Sequence, residues 1–203
     1  MNNRRNFLKQ AGLLTAAAAI LSPSQIFAQK NPSNAKRVNG SKKMELSFVP
    51  YDAQMRHVFT IANSSRTTTP IVLTKITYDG YTGYGEAAMP PYLGETQASV
   101  IEFLKKVNLS QFSSPFLIED IMTYVDAIAI NNTAAKAAVD IALHDLVGKM
   151  IGQPWWKIWG FDPTTCPNTS FTVGLDSEEV VKEKTKEASP YKVIKVKLGR
   201  DEA

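Results

Sequence analysis

The segment from Val193 to Gly199 carries two lysines, Lys195 and Lys197, separated by one residue. Its β-branched residues favour a strand, and in a strand both lysines lie on one face, about 7 Å apart. On a solvated face such a pair has no chemical role. In a closed, dry site each ammonium disfavours protonation of the other, so that one amine becomes a base near neutral pH. The spacing alone leaves both interpretations open.

The composition limits the classes of site that the chain can build. Its 203 residues are 44% hydrophobic and 21% charged, which is typical of a globular protein of one or two domains. The single cysteine, Cys166, excludes an intrachain disulfide, and with only His57 and His144 beside it a zinc site of the Cys/His type is excluded. A metal site would therefore use oxygen ligands, which favours magnesium, manganese or calcium.

Residues 1–28 have the features of an export signal. They contain three basic side chains and no acidic one, and an apolar run over 11–21 is too short to span a bilayer with margin. The pair Arg4-Arg5, followed by Phe-Leu-Lys after one residue, resembles a twin-arginine signal. We expect cleavage after Ala28 and a periplasmic protein, with an uncleaved anchor as the alternative.

The charge of the remaining chain gives no reason to propose nucleic-acid binding. The formal net charge is +4, and removing the three positive charges of residues 1–28 leaves +1 with no basic cluster. After cleavage no membrane contact is expected. Residues 29–43 are polar, contain Pro, Gly and Ser, and lack periodicity, which predicts a linker.

An antiparallel meander is predicted next. A strand is indicated at 44–49, and β-branched and aromatic residues favour strands over 71–78 and 81–86. Asp79-Gly80 between the last two is the strongest short hairpin signal. Residues 51–70 are predicted to form a long loop with a function.

Three helices should follow, over 95–107, 115–130 and 134–151. In the third, Ala134, Ala138 and Ala142 recur at four-residue steps and allow a neighbour to approach closely. Its polar residues are expected to be solvated or to cap rather than to bind metal; these are Asp140, His144 and Asp145. A tryptophan cluster is expected to pack in the core, at positions 155, 156 and 159.

The last part of the chain predicts a βαβ unit. Residues 170–175 and 191–198 resemble strands, and a helix with Ser177 as its N-cap lies between them and ends before Pro190. Two strands joined by a helix at this spacing are parallel.

Four segments in this order resemble the enolase superfamily, muconate-lactonizing subgroup, and within it dipeptide epimerases of the L-Ala-D/L-Glu type. They are the hairpin 76–87 ending in Gly85-Glu86-Ala87, the helix 135–146 with Gly-Gln-Pro at 152–154, the strand 169–172 and the Lys-x-Lys of 195–197. The resemblance implies an α+β capping domain (antiparallel meander plus helices) over 44–165. Residues 166–203 would then begin a (β/α)7β TIM-like barrel with its first βαβ unit.

The resemblance also implies roles for individual residues. Lys197 would be the acid/base that removes the α-proton of a dipeptide substrate, and Lys195 would disfavour protonation of Lys197 and help to hold the substrate carboxylate. Thr172 would frame the site, and residues 51–70 would form part of a lid. On that lid Arg66 would pair with a distal substrate carboxylate.

Relatives stabilise the enediolate with Mg²⁺, but the expected metal ligands and the second lysine lie beyond Ala203. A barrel needs about 250 residues, far more than follow Asn168. We therefore expect an N-terminal fragment that is inactive by itself, and a homo-oligomer is compatible with it. The alternatives are a cycloisomerase, an o-succinylbenzoate synthase, an N-acylamino acid racemase or a non-catalytic capping-domain remnant.

Overall fold

The computed structural model describes residues 22–30, 43–61 and 64–199. The chain divides into two units, 1–36 and 37–203. In the first unit a helix, α1, spans Pro23–Lys30. The rest of the predicted signal peptide and most of the predicted linker lie outside the described residues, but Gln29 and Lys30 continue α1, where an irregular linker was expected. No helix within the described ranges is both long enough and apolar enough to cross a membrane.

The second unit begins with an antiparallel sheet of three strands in the order β1-β2-β3. They are β1 (Glu45–Ile61), β2 (Ser64–Tyr78) and β3 (Tyr81–Ala88). Asp79 (φ 47°) and Gly80 (φ 80°) both have positive φ, as a two-residue turn with the twist of a hairpin requires. The predicted meander and its Asp-Gly turn are confirmed.

The prediction of a loop over 51–70 was wrong, because these residues extend β1 and β2 into a long hairpin. We call 51–61 together with 64–70 the arm. Its strands pair from Asp52↔Pro70 to Gln54↔Thr68, shift register, and pair again at Phe59↔Arg66. Irregular polarity suggested a loop, but residues 67–69 are three threonines, whose branched side chains suit a pleated strand.

The three predicted helices are confirmed: the first two are shorter than predicted, the third begins one residue earlier, and a short fourth helix follows them. They are α2 (Gln97–Leu104), α3 (Ile118–Ala127), α4 (Thr133–Ile151) and α5 (Trp155–Ile158). A capping box between Thr96 and Ser99 starts α2. Asn132 makes no side-chain cap for α4, and Glu95 replaces it by accepting from the Ala134 amide at 2.9 Å. Gly152, with φ 71°, ends α4.

The core between the three-stranded sheet and its helices depends on a close approach of α4 to β3. A Cβ added at Gly83 would collide with the carbonyl oxygen of Ala142, and one at Gly85 with that of Ala138. The buried hydroxyl of Thr74 donates to the same Ala138 oxygen at 2.8 Å. The predicted close approach at the alanine face of α4 is therefore confirmed, and glycines provide the matching surface on the sheet.

A parallel pair of strands forms the second sheet. β4 (Ser170–Val173) and β5 (Val193–Val196) are joined by α6 (Glu178–Glu187), whose N-terminus is capped by Ser177. The predicted βαβ unit is confirmed, and with it the expected order of an α+β layer followed by the start of a barrel. The boundary expected between 165 and 166 stays a prediction.

The prediction that all three tryptophans pack in the core was wrong. Trp155 is half-buried and donates its indole N–H to the His144 carbonyl at 2.6 Å. Trp156 and Trp159 are 46% and 57% exposed. Trp156 lies on the single turn of α5 and Trp159 just after it, and the Trp159 ring contacts those of Trp155 and Phe161, with centroids 5.0 and 5.9 Å away.

We predict that Gly85→Ala destabilises the chain by about 1–3 kcal/mol or more, because the new methyl group must displace the backbone of α4. Urea denaturation would measure the free energy of unfolding. Gly199→Ala is the matched control, since the nearest atom to its added Cβ is 3.9 Å away. Equal stability of the two variants would contradict the packing described here.

Candidate functional site

The parallel register places three of the four predicted site residues on one face of the second sheet. Thr172 is paired with Lys195, and the Lys197 amide donates to the Val173 carbonyl at 2.9 Å, just past the end of β5. Paired residues and residues two apart share a face. Thr172, Lys195 and Lys197 therefore belong to the same face, as the strand pattern predicted.

The described residues do not enclose these two lysines. Lys195 is exposed and Lys197 is half-buried. The apolar residues Ile194 and Val196 on the opposite face are 39% and 55% exposed. The closed, dry environment that would make a lysine a base is not formed by this part of the chain, so the acid/base role of Lys197 and the supporting role of Lys195 stay predictions.

Arg66 lies on the arm, far from the two lysines in sequence. It is exposed, and its guanidinium carbon lies 5.5 Å from the ring centroid of its cross-strand partner Phe59. The ring supports the arginine by a cation–π contact and leaves its donors accessible. Pairing of Arg66 with a substrate carboxylate stays a prediction.

A pocket of about 250 Å³ lies between the arm and β4. Thr172 is in its wall, which connects this predicted site residue with the arm. The other lining residues come from the arm, from β4 and the residue after it, and from α6: Met55, Arg56, His57, Val58, Phe59, Phe171, Gly174 and Lys184.

Lys184 is the buried cation of this region, only 4% exposed. Its ammonium donates to Oδ2 of Asp176 at 2.9 Å and to the Val58 carbonyl at 3.3 Å. The hydrogen bond from Lys184, followed by the one from the Ser177 amide, holds the pKa of Asp176 below its usual value. The sequence did not identify Lys184, because it occurs in a helix of alternating Lys and Glu that resembles a solvated surface.

Glu187 makes a second connection between α6 and the arm. Its Oε1 accepts from Nη2 of Arg56 at 3.1 Å and its Oε2 from Nε2 of His57 at 2.8 Å. The Leu175 amide, just after β4, donates to the Thr60 carbonyl at 3.0 Å. None of these pairs was predicted, since residues 115 to 131 apart in the chain give no local signal of contact.

The described residues do not fit a metal site. Among them, no three His, Cys, Asp or Glu side chains are close enough together to hold an ion. Asp140 pairs with Nδ1 of His144 at 2.9 Å, one turn away on α4. Asp145 accepts from the Tyr84 amide at 2.8 Å and from Lys149 at 2.6 Å, and so fastens α4 to β3. These side chains have structural roles.

Comparison with known proteins identifies a matching family and several similar proteins. Residues 43–160 match the family described as mandelate racemase / muconate lactonizing enzyme, N-terminal domain. An L-Ala-D/L-Glu epimerase of Bacteroides thetaiotaomicron is 56% identical over 99% of this chain and 53% of its own length. An L-Ala-D/L-amino acid epimerase of a Maribacter species is 32% identical over 78% of this chain and 47% of its own length.

A solved structure agrees with these relatives. The dipeptide epimerase of Enterococcus faecalis V583, in complex with Mg and L-Leu-L-Tyr, is superimposed with a TM-score of 0.66 at 28% identity, covering 78% of this chain and 46% of that one. The chain spans about half the length of the curated relatives it matches. What the comparisons establish is the fold of this half and its relationship to isomerases.

We predict that Asp176→Asn destabilises the chain at neutral pH, because it leaves the buried Lys184 without its carboxylate. The pKa of Asp176 is lowered on folding. Its contribution to the free energy of unfolding is therefore complete above the ordinary pKa of about 3.9 and is lost as the pH falls through the folded-state pKa. Urea titrations at pH 7, 5 and 3 should show wild type and variant converging in acid.

Glu183→Gln, which changes an exposed acid on the same helix, is the control for this prediction. A difference between wild type and Asp176→Asn that stayed constant from pH 7 to pH 3 would rule out the ion pair as its cause.

Proposed function

The chain belongs to the mandelate racemase/muconate lactonizing enzyme family of the enolase superfamily, and from this premise we propose that it is the N-terminal portion of an L-Ala-D/L-Glu-type dipeptide epimerase. The observation that carries the proposal is the 56% identity to such an epimerase along almost the whole chain. The parallel β4–β5 pair supports it, because it puts both lysines of the Lys-x-Lys segment and Thr172 on one face.

In this proposal Lys197 acts on the α-carbon of the dipeptide's C-terminal residue. The lysine amine takes the α-proton, the C–H bonding electrons move into the adjacent carboxylate as an enediolate, and return of a proton to the opposite face inverts the carbon. Lys195 lies two residues away on the same face, where its positive charge offsets the negative charge that develops. The acid for the opposite face is not assigned to this chain.

We extend the proposal to magnesium for the whole enzyme, because the Enterococcus relative was solved with Mg and a dipeptide bound. A divalent ion would lower the energy of a doubly charged enediolate. The described residues offer no ligand set, so no ligand is assigned to them.

The arm would act as the lid that reads the substrate side chain, with Arg66 as its cationic group. An exposed guanidinium presents paired donors that match a carboxylate, such as the γ-carboxylate of a glutamyl residue. Its ring contact with Phe59, which lines the pocket beside Thr172, supports this role.

We predict that Lys197→Met slows exchange of the α-proton at least about 100-fold in one of the two dipeptide epimers, because this lysine serves one face of the α-carbon. The assay incubates the full-length gene product, including any coding sequence beyond codon 203, with L-Ala-L-Glu or L-Ala-D-Glu and Mg²⁺ in deuterated water, and follows the α-proton signal by NMR. Lys192→Met, an exposed lysine just before β5, is the control.

Two results would decide against this function. Wild type that exchanges no dipeptide α-proton, but converts an N-acylamino acid or a muconate, would support one of the other activities. Normal exchange by Lys197→Met with both epimers would show that the base is elsewhere.

We also propose that residues 1–28 direct export to the periplasm through the twin-arginine route. The supporting observations are the Arg4-Arg5 pair, the short apolar run and the lack of acidic residues.

Replacing both arginines by lysine keeps the charge and should retain the protein in the cytoplasm, as measured by cell fractionation and immunoblotting. Lys9→Arg serves as the control that keeps the arginine pair. Unchanged export of the double-lysine variant would contradict the twin-arginine assignment.

A further inference from the structure

The regular pairing between the two strands of the arm is interrupted where α6 contacts the arm. The pairing between β1 and β2 shifts register between Gln54 and Phe59, so the four residues between them do not continue the regular ladder. Successive strand residues point to opposite faces, yet Arg56 and His57 both reach the one carboxylate of Glu187. The backbone is therefore irregular here, and its position is set by contacts with α6.

The side chains of α6 replace the missing ladder with charged hydrogen bonds. Glu187 uses both carboxylate oxygens, one for each of two consecutive arm residues. One turn earlier, Lys184 donates to the carbonyl of the next arm residue, Val58, and is buried with Asp176 as its counter-ion. Hydrogen bonds that include a charged group are about twice as strong as neutral ones, and a buried ammonium holds its partners firmly.

These contacts fix the wall of the pocket that faces Thr172. Five consecutive arm residues, 55–59, line this space, and three of them are held directly by α6. One further bond, from the Leu175 amide to the Thr60 carbonyl, joins the arm to the end of β4. Any displacement of the arm from α6 would therefore open the pocket on the arm side.

We propose that Glu187, assisted by Lys184, is a positioning residue that fixes the arm against the βαβ unit and so sets the shape of the pocket in which the substrate side chain is selected. The proposal rests on the proposed epimerase function for its second half only. Neither residue contacts the reacting atoms; they act through the arm, by holding Phe59 and the adjacent Arg66 at a fixed place relative to Thr172.

The test compares Glu187→Gln with Glu183→Gln, a change of the same kind at an exposed position on the same helix. Glutamine keeps the size of Glu187 and removes the negative charge that Arg56 and His57 contact. The first readout is hydrogen exchange of the Leu175 amide in the full-length protein. Exchange there should become about tenfold faster or more in Glu187→Gln and stay unchanged in Glu183→Gln.

The second readout is steady-state epimerisation of L-Ala-L-Glu. Loosening the arm should raise KM severalfold with a smaller change in kcat, since the lysines on β5 are not touched. A double-mutant cycle of Glu187→Gln with His57→Gln should give strongly non-additive effects on the exchange rate, which a general loss of stability would not.

The outcomes separate the two proposals. Unchanged Leu175 exchange in Glu187→Gln overturns the positioning role, whether or not the enzyme is active. Faster exchange with unchanged KM overturns the link to substrate selection. A wild type without dipeptide epimerase activity overturns the proposed function, while the exchange measurement, which needs no turnover, still decides whether α6 positions the arm.

Discussion

The close packing of α4 on β3 is the interaction on which the first layer depends. Gly83 and Gly85 remove the side chains that would separate the two elements, and Ala138 and Ala142 do the same on the helix. Because backbones in such close contact exclude water, their polar groups need partners, and the Thr74 hydroxyl and the Asp145 carboxylate provide them. The helix and hairpin are thus fixed in one relative position, from which the arm extends.

The arm is fastened differently, by charges rather than by apolar packing. Lys184 and Glu187 hold residues 56–58 through side-chain and backbone oxygens and nitrogens, and the space beside them is a pocket rather than a filled core. Bonds of this kind fix position with little buried apolar area, and such regions open at lower free energy than a core does. Such a fastening would suit the lid role proposed for the arm.

The lysine pair shows why a motif is not yet a catalytic site. Lys195 and Lys197 share a face with Thr172, but the described residues leave Lys195 in solvent. A lysine becomes a base near neutral pH when burial in a low dielectric, a nearby cation, or both disfavour its protonated form. The strand pair brings the two lysines together but does not bury them. About half the length of the curated relatives lies outside the match.

The sequence by itself determined the elements and their order: the Asp79-Gly80 hairpin, the alanine-faced α4 and the parallel βαβ unit, each of which depends on local chemistry such as turn residues, periodicity and caps. It did not predict the strands of the arm or the exposure of two of the tryptophans after α4. Strand pairing and burial depend on partners distant in the chain. Only the tertiary structure brought Arg56 and His57 to Glu187, because no local pattern records which side chains meet across 130 residues.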